Sequence, residues 1–263
     1  MASQNELAAF TPQREQFSYW APFLWAHHLL HGTPPSHKIR LEVASCYDAA
    51  ARGYDDWNWQ SVWAKLEWPA LSNWIGNPET VLEFGIGTGS VAMRILDKVG
   101  SHRLRQYVGV DLSEGMLEVA KIKLGDRVEL IKADATTIDL GRKFDFVLMC
   151  RILGHVEKPG DLFRSAVNHL NSGGRVVVTD LDPHYPYAAT RVPTPSGKML
   201  VPTFKHEGTE VILAAEKAGL RLIHLTCTYT DQARALKGIE PPQSLREASG
   251  RLSNVLVFEK TPV

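Results

Sequence analysis

The chain has 263 residues, 44% of them hydrophobic, enough to bury one substantial core with a small cap beside it. Lysine plus arginine equals aspartate plus glutamate at 29 each, so no global field draws the protein toward nucleic acid or an anionic membrane. The three cysteines, Cys46, Cys150 and Cys227, are far apart and form no Cys-x-x-Cys pair, which fits reduced thiols in a cytoplasmic protein and argues against a disulfide framework.

The first apolar stretch, FSYWAPFLWAHHLL from Phe17 to Leu30, is too short to span a bilayer. It has no basic segment before it and no small-residue cleavage site after it, so no signal peptide is expected. His27 and His31 have the i, i+4 spacing of a zinc chelate, with His28 between them, but lack the carboxylate of H-E-x-x-H. An aromatic packing face is expected there, and no metal. Residues 12 to 75 read as helical and tryptophan-rich, and residues 1–75 are expected to form a cap over one edge of a sheet. Within them, Tyr47 and Tyr54 of YDAAARGYDDW are seven apart and share a face of any helix that continues past Gly53.

From Thr80 onward, short β-branched runs alternate with helical patterns, the signature of a parallel sheet covered on both faces. Strand Val81–Phe84 leads through a glycine loop into helix Ser90–Lys98. Strand Gln106–Asp111 precedes helix Ser113–Leu124, with Ser113 as its N-cap. Strands follow at Val128–Lys132 and Phe144–Cys150. A helix from Gly160 to Leu170 is expected to stop at NSGG, before strand Arg175–Asp180. The segment from Asp182 to His206 holds five prolines and no clear period, and is expected to be a structureless lid. Helix Glu207–Lys217, strand Arg221–Tyr229 and a last strand Asn254–Glu259 complete the chain.

The loop LEFGIGTGSV carries the chemistry. Glycine between a strand and a helix lets a ligand approach the backbone, which several cofactors require. Gly85, Gly87 and Gly89 are spaced G-x-G-x-G, and the third glycine position of the dinucleotide fingerprint G-x-G-x-x-G is Ser90. No Gly-Lys-Ser/Thr follows, which excludes the P-loop. Glu83, two residues before Gly85, repels a diphosphate and attracts a cationic ligand. Asp111, 22 residues beyond Gly89, ends the neighbouring strand, where a carboxylate suits two ribose hydroxyls. A plain helix cap at Asp111, a turn at Asp134 and core packing at Met116 are the alternatives for each residue taken alone.

These motifs, in this order, resemble the class I S-adenosylmethionine-dependent methyltransferases over roughly Tyr47 to Phe258. VLEFGIGTGSV resembles the first motif of that family, VGVDLSEGML the second, KADAT the third, FDFVLMCRILGHV the fourth strand and its exit, and LNSGGRVVVTD the fifth. The resemblance implies an α/β, Rossmann-like, doubly wound, mostly parallel seven-stranded sheet over residues 76–263, with the last strand antiparallel, a helical N-terminal cap and a lid insertion at about 182–206. It implies S-adenosyl-L-methionine as cofactor, held by Glu83, Gly85, Gly87, Asp111, Leu112, Met116, Asp134, Ala135 and Arg151. It also implies that the helix carrying Tyr47 and Tyr54 closes over the methionine end, Tyr54 toward the cofactor and Tyr47 toward the acceptor.

Methyl transfer requires alignment, exclusion of water and, for some acceptors, removal of a proton, a task suited to histidine near neutral pH. The candidates are His155 at the exit of the fourth strand, and His184 and His206 at the two ends of the lid. Arg151 and Tyr185 are candidate substrate contacts, Arg151 for a carboxylate of acceptor or cofactor. The exit CRIL lacks the Asn/Asp-Pro-Pro-Tyr/Phe pattern and any Pro-Cys nucleophile of methyltransferases acting on nucleic acid. The expectation is therefore an enzyme that methylates a small molecule at oxygen, nitrogen or carbon, such as a partly apolar secondary metabolite, with no nucleic-acid or membrane partner. The alternative is a methyltransferase-like protein that holds the cofactor structurally, as a cyclase or regulatory binder. A nicotinamide-dependent oxidoreductase is disfavoured by Glu83 and Ser90.

Overall fold

The computed structural model describes residues 36–100, 102–187 and 189–261. The expectations for the first 35 residues, including His27, His28 and His31, lie outside the described residues.

Seven strands form one sheet in the order β3-β2-β1-β4-β5-β9-β8. They are β1 (Thr80–Phe84), β2 (Gln106–Asp111), β3 (Glu129–Lys132), β4 (Phe144–Cys150), β5 (Leu170–Leu181), β8 (Leu220–Tyr229) and β9 (Arg251–Lys260). β1 pairs in parallel with both β2 and β4, so the winding reverses between β1 and β4. β9 alone runs antiparallel, inserted between β5 and β8.

Alternate residues of the central strands enter opposite cores. Leu82, Phe84, Val147 and Met149 pack on one face, and Val81, Phe146, Leu148 and Cys150 on the other. Burial on both faces explains why these strands read as unbroken apolar runs. Helix α4 (Ser90–Val99) buries Ala92, Ile95, Leu96 and Val99, the i, i+3, i+4, i+7 stripe of an amphipathic helix. Helix α5 (Glu114–Leu124) is capped by the Ser113 hydroxyl, which accepts from the Met116 amide. Helix α6 (Pro159–Asn168) has its proline in the first turn, where the missing N–H costs nothing, and α7 (Gly208–Lys217) precedes β8. Short helices α8 (Thr230–Arg234) and α9 (Gln243–Glu247) lie between β8 and β9.

Before the sheet come α1 (Ser36–Ala50), a 3-10 turn at Ala51–Gly53, and a broken helix. The latter is α-helical over Asn58–Val62 (α2), widens to a π turn over Trp63–Glu67 and returns to α over Trp68–Ser72 (α3). α1 does not lie along a sheet edge. Its polar side chains reach the loops after β2 and β3, and Asp55 just beyond it reaches the loop after β1, so this segment crosses the carboxyl ends of these strands.

Two expectations are corrected. NSGG does not stop a helix, because α6 ends at Asn168 and these residues belong to β5, where the pairing with β4 slips between Phe144 and Phe146. The segment 182–206 is not structureless, for it contains the hairpin β6 (Thr190–Thr194) and β7 (Gly197–Val201). Prolines disguise the alternation, and a two-stranded ribbon gains stability chiefly from what it packs against. Here Val192 and Val201 pack on Ile39, Val43, Cys46 and Ala50 of α1.

Candidate functional site

A cavity of about 450 Å³ opens at the carboxyl ends of β1, β2 and β4, beside the reversal of strand order. Open α/β sheets bind ligands at this place. The glycine loop supplies one wall, with Gly85 at φ +71° and Gly87 at φ +55°, values that residues with a Cβ rarely adopt. No protein atom lies within 4 Å of where a Gly87 Cβ would stand, so the loop presents bare backbone to the cavity.

Asp111 ends β2 against this loop. Its two carboxylate oxygens accept from the amides of Gly87 at 2.8 Å and Ser113 at 2.9 Å. Burial pushes its pKa up, against the pull of these backbone bonds. A carboxylate has about four lone-pair sites, so acceptor capacity remains for ligand hydroxyls. Glu83 lines the cavity on the other side of the loop, is 1% exposed, and accepts from the Tyr107 hydroxyl at 2.6 Å. Burial raises its pKa to about 8, outweighing the Tyr107 bond. Leu112, Met116 and Ala135 line the same cavity and offer an apolar slot. Asp134 also lines it, but its carboxylate is engaged by Arg40 of α1 at 2.9 Å and by the Thr136 hydroxyl at 2.7 Å.

The opposite wall carries Tyr47 and Tyr54, with ring centroids 5.9 Å apart. The Tyr47 hydroxyl lies 2.8 Å from Nε2 of His155, and the other ring nitrogen, Nδ1, lies 2.9 Å from the carbonyl oxygen of Pro202. A carbonyl only accepts, so Nδ1 carries the proton, and Tyr47 donates to Nε2 of a neutral imidazole. Burial lowers the His155 pKa, which favours that neutral form. The turn holding His155 is fixed by Asp180 at the end of β5, whose carboxylate accepts from the Gly154 amide at 2.7 Å. Burial pushes Asp180 up to about 6.

Arg151 follows β4 directly and has φ +56°, the one non-glycine residue with positive φ among the described residues. It forms an ion pair with the buried Glu67 from the π turn and stacks 5.3 Å above the Trp63 ring. Burial opposes the Arg151 charge, but Glu67 outweighs it and holds the pKa above its usual value.

Twelve of the expected site residues therefore line one cavity: Tyr47, Tyr54, Glu83, Gly85, Gly87, Asp111, Leu112, Met116, Asp134, Ala135, Arg151 and His155. Three do not. His184 is 75% exposed and bonds Asp182, so it is a surface residue. Tyr185 is 2% exposed and packs edge-on to Trp59, because a large aromatic ring gains most from the core beneath the cap. His206 lies behind the cavity, with Nε2 2.8 Å from the Val156 carbonyl oxygen and its ring stacked on Phe204, which does line it. Residues that the sequence did not mark are Arg40, Gln60 and Phe204, which line the cavity, together with Glu67 and Asp180 behind it. Their partners are far away in sequence, and only their residue types were visible. Among the described residues no group of three His, Cys, Asp or Glu side chains could hold a metal, and no helix is long and apolar enough to cross a membrane.

Residues 81–174 match the family described as "Methyltransferase domain". The chain is 28% identical over 144 residues to an uncharacterized methyltransferase of Geobacillus sp. (strain WCH70), covering 53% of this chain and 64% of that protein. It is 30% identical over 148 residues to a demethylmenaquinone methyltransferase of Clavibacter sepedonicus, covering 53% of this chain and 58% of that protein. The match thus spans less than two thirds of the length of these relatives. Among solved structures, the DhpI–SAH complex superposes with a TM-score of 0.61 at 19% identity, covering 87% of this chain and 100% of that one. At that identity the likeness establishes the fold.

Proposed function

We propose that this chain is a class I S-adenosylmethionine-dependent methyltransferase that binds S-adenosylmethionine in the 450 Å³ cavity and methylates a small molecule, a reading supported by the methyltransferase-domain match over residues 81–174 and by the fold. The observation that carries this reading is the pairing of the buried Glu83 carboxyl group with the half-buried Asp111 carboxylate, on either side of a loop whose bare backbone faces the cavity. Two acids flanking a glycine loop suit ribose hydroxyls and a cationic amino-acid end, and oppose a diphosphate.

Asp111 would hold the ribose, Glu83 the ammonium end, and Leu112, Met116 and Ala135 the base. When bound, the cofactor supplies an electrophilic methyl group on a sulfonium, so the protein has to align the acceptor and handle its proton. Tyr47, Tyr54, His155 and Phe204 form an aromatic wall that suits a partly apolar acceptor and excludes water. Nε2 of His155 is the basic atom of that wall, and the Tyr47 hydroxyl occupies it when no acceptor is present. An acceptor proton passes to Nε2 in place of, or through, that hydroxyl. The neutral overall charge supports a small acceptor rather than nucleic acid, and the reduced cysteines support a cytoplasmic location.

The test is calorimetry with S-adenosylmethionine and S-adenosylhomocysteine. Both should bind, and Asp111→Ala should weaken binding about tenfold or more, the range for losing a hydrogen bond to a charged group. Heat only with a nicotinamide dinucleotide would overturn the reading. Binding without methyl transfer to any acceptor in a panel of phenols, amines and quinols would favour a structural role for the cofactor.

A further inference from the structure

The dipeptide Tyr-Asp occurs twice, seven residues apart, at Tyr47-Asp48 and Tyr54-Asp55. Both tyrosines line the cavity, and both aspartates point away from it onto the sheet domain. The Asp48 carboxylate accepts from the Ser113 hydroxyl at 2.6 Å and the Gly115 amide at 2.9 Å, at the N-terminus of α5. The Asp55 carboxylate accepts from the Thr88 hydroxyl at 2.6 Å and the Ser90 hydroxyl at 3.0 Å, at the N-terminus of α4. Its second oxygen meets Lys123 of α5 at 2.7 Å. Each carboxylate therefore sits at the positive end of a helix dipole, on the helices that follow β1 and β2. Burial raises the Asp55 pKa, but the bonds from Lys123, Thr88 and Ser90 outweigh it and hold the group ionised.

The close approach is built into the sequence at Gly115. A Cβ there would stand 3.2 Å from both the Cα and the carbonyl oxygen of Asp48. Glu83 and Met116, each 1% exposed, line the same cavity as the two tyrosines. A ligand that touches them is covered by the segment that the two aspartates fasten.

From this geometry we infer that the repeated dipeptide is a two-point latch. The tyrosines form the cover of the cavity, Asp48 and Asp55 fasten it to the N-termini of α5 and α4, and release of both fasteners is the step that lets the cofactor enter and its product leave. The inference rests on the reading of this cavity as a cofactor site. It adds that exchange is gated at Asp48 and Asp55, two residues outside the cavity, rather than by contacts to the ligand.

Stopped-flow tryptophan fluorescence of the full chain, with S-adenosylhomocysteine as the probe, measures this directly. Asp48→Ala and Asp55→Ala should each raise the dissociation rate about tenfold, the factor for one charge-assisted hydrogen bond, and the double variant should raise it further. Gly115→Ala removes no polar group and adds a methyl group to a helix, yet it should also speed release by pushing the cover away. This variant keeps the test decisive if the double variant does not fold. Hydrogen exchange of the probe-free protein should show the amides of residues 47–57 exchanging faster in all these variants, with the central strands unchanged. A dissociation rate that stays at the wild-type value in the variants that bind the probe overturns the latch and leaves the cofactor reading intact. A wild-type protein that does not bind the probe overturns both.

Discussion

Glu83 faces the cavity as a carboxyl group whose burial holds its pKa at about 8, so at pH 7 it is mostly neutral when the site holds no cation. A cationic ligand favours the ionised form and lowers that pKa, so binding at pH 7 should release a proton to the buffer. Affinity should accordingly rise as pH increases from 6 toward 8 and level off above. Calorimetry in buffers of different ionisation enthalpy counts the proton, and Glu83→Gln should abolish the release. Equal counts in the two proteins would show that Glu83 does not face the cation. At His155 the expectation is kinetic. His155→Ala should keep cofactor affinity within about twofold and lower turnover about 10²–10⁴-fold, the usual contribution of a positioned general base. Tyr47→Phe frees Nε2 and should lower turnover less. Unchanged turnover in His155→Ala would remove that residue from the chemistry. Glu83, Asp111 and His155 were legible in the sequence because each sits at a fixed offset from a strand end. The raised pKa of Glu83 was not, since it depends on how completely other segments bury it.

The broken helix over Asn58–Ser72 shows what an element adds to its residues. An α-helix passing to a π turn shifts the register of the side chains that follow, and π turns recur at functional sites. Here the turn ends at Glu67, which is 3% exposed and pairs with Arg151. Arg151 stands in the left-handed region, a conformation that costs on the order of 1–3 kcal/mol and persists only where surrounding contacts hold it. Removing Glu67 leaves a half-buried guanidinium without its partner. Glu67→Ala should therefore destabilise the protein by about 1–3 kcal/mol in urea unfolding, less than for a fully buried pair because Arg151 borders the cavity, whereas the double variant Glu67→Met with Arg151→Met should recover most of the loss. A loss under about 1 kcal/mol in Glu67→Ala would mean that the pair is effectively solvated. The sequence marked Arg151 as a site residue from its place after β4. It could not mark Glu67, because 84 residues separate the partners and neither the π turn nor the pairing leaves a local pattern.

Across the whole molecule, α1, which lines the site, is backed by the hairpin β6–β7, and these segments about 150 residues apart share one small apolar core. Cys46 reports on that core, being 3% exposed with its thiol 3.5 Å from the Leu200 carbonyl oxygen. Replacing Thr190–Val201 by a short Gly-Ser linker should leave the seven-stranded sheet folded but make Cys46 react with a thiol reagent at least tenfold faster, as expected for a thiol brought from core to solvent. Mass spectrometry of the labelled peptide distinguishes Cys46 from Cys150 and Cys227. Unchanged labelling would show that α1 is held by its polar ties alone. The sequence by itself determined the strand succession, the glycine loop and the acid after β2, because these depend on backbone conformation and on apolar runs that are local in the chain. Only the tertiary structure decided that His184, Tyr185 and His206 stand outside the cavity, that 182–206 folds as a hairpin, and which buried groups face Arg151. Those outcomes follow from burial and pairing between distant segments, which no local pattern encodes.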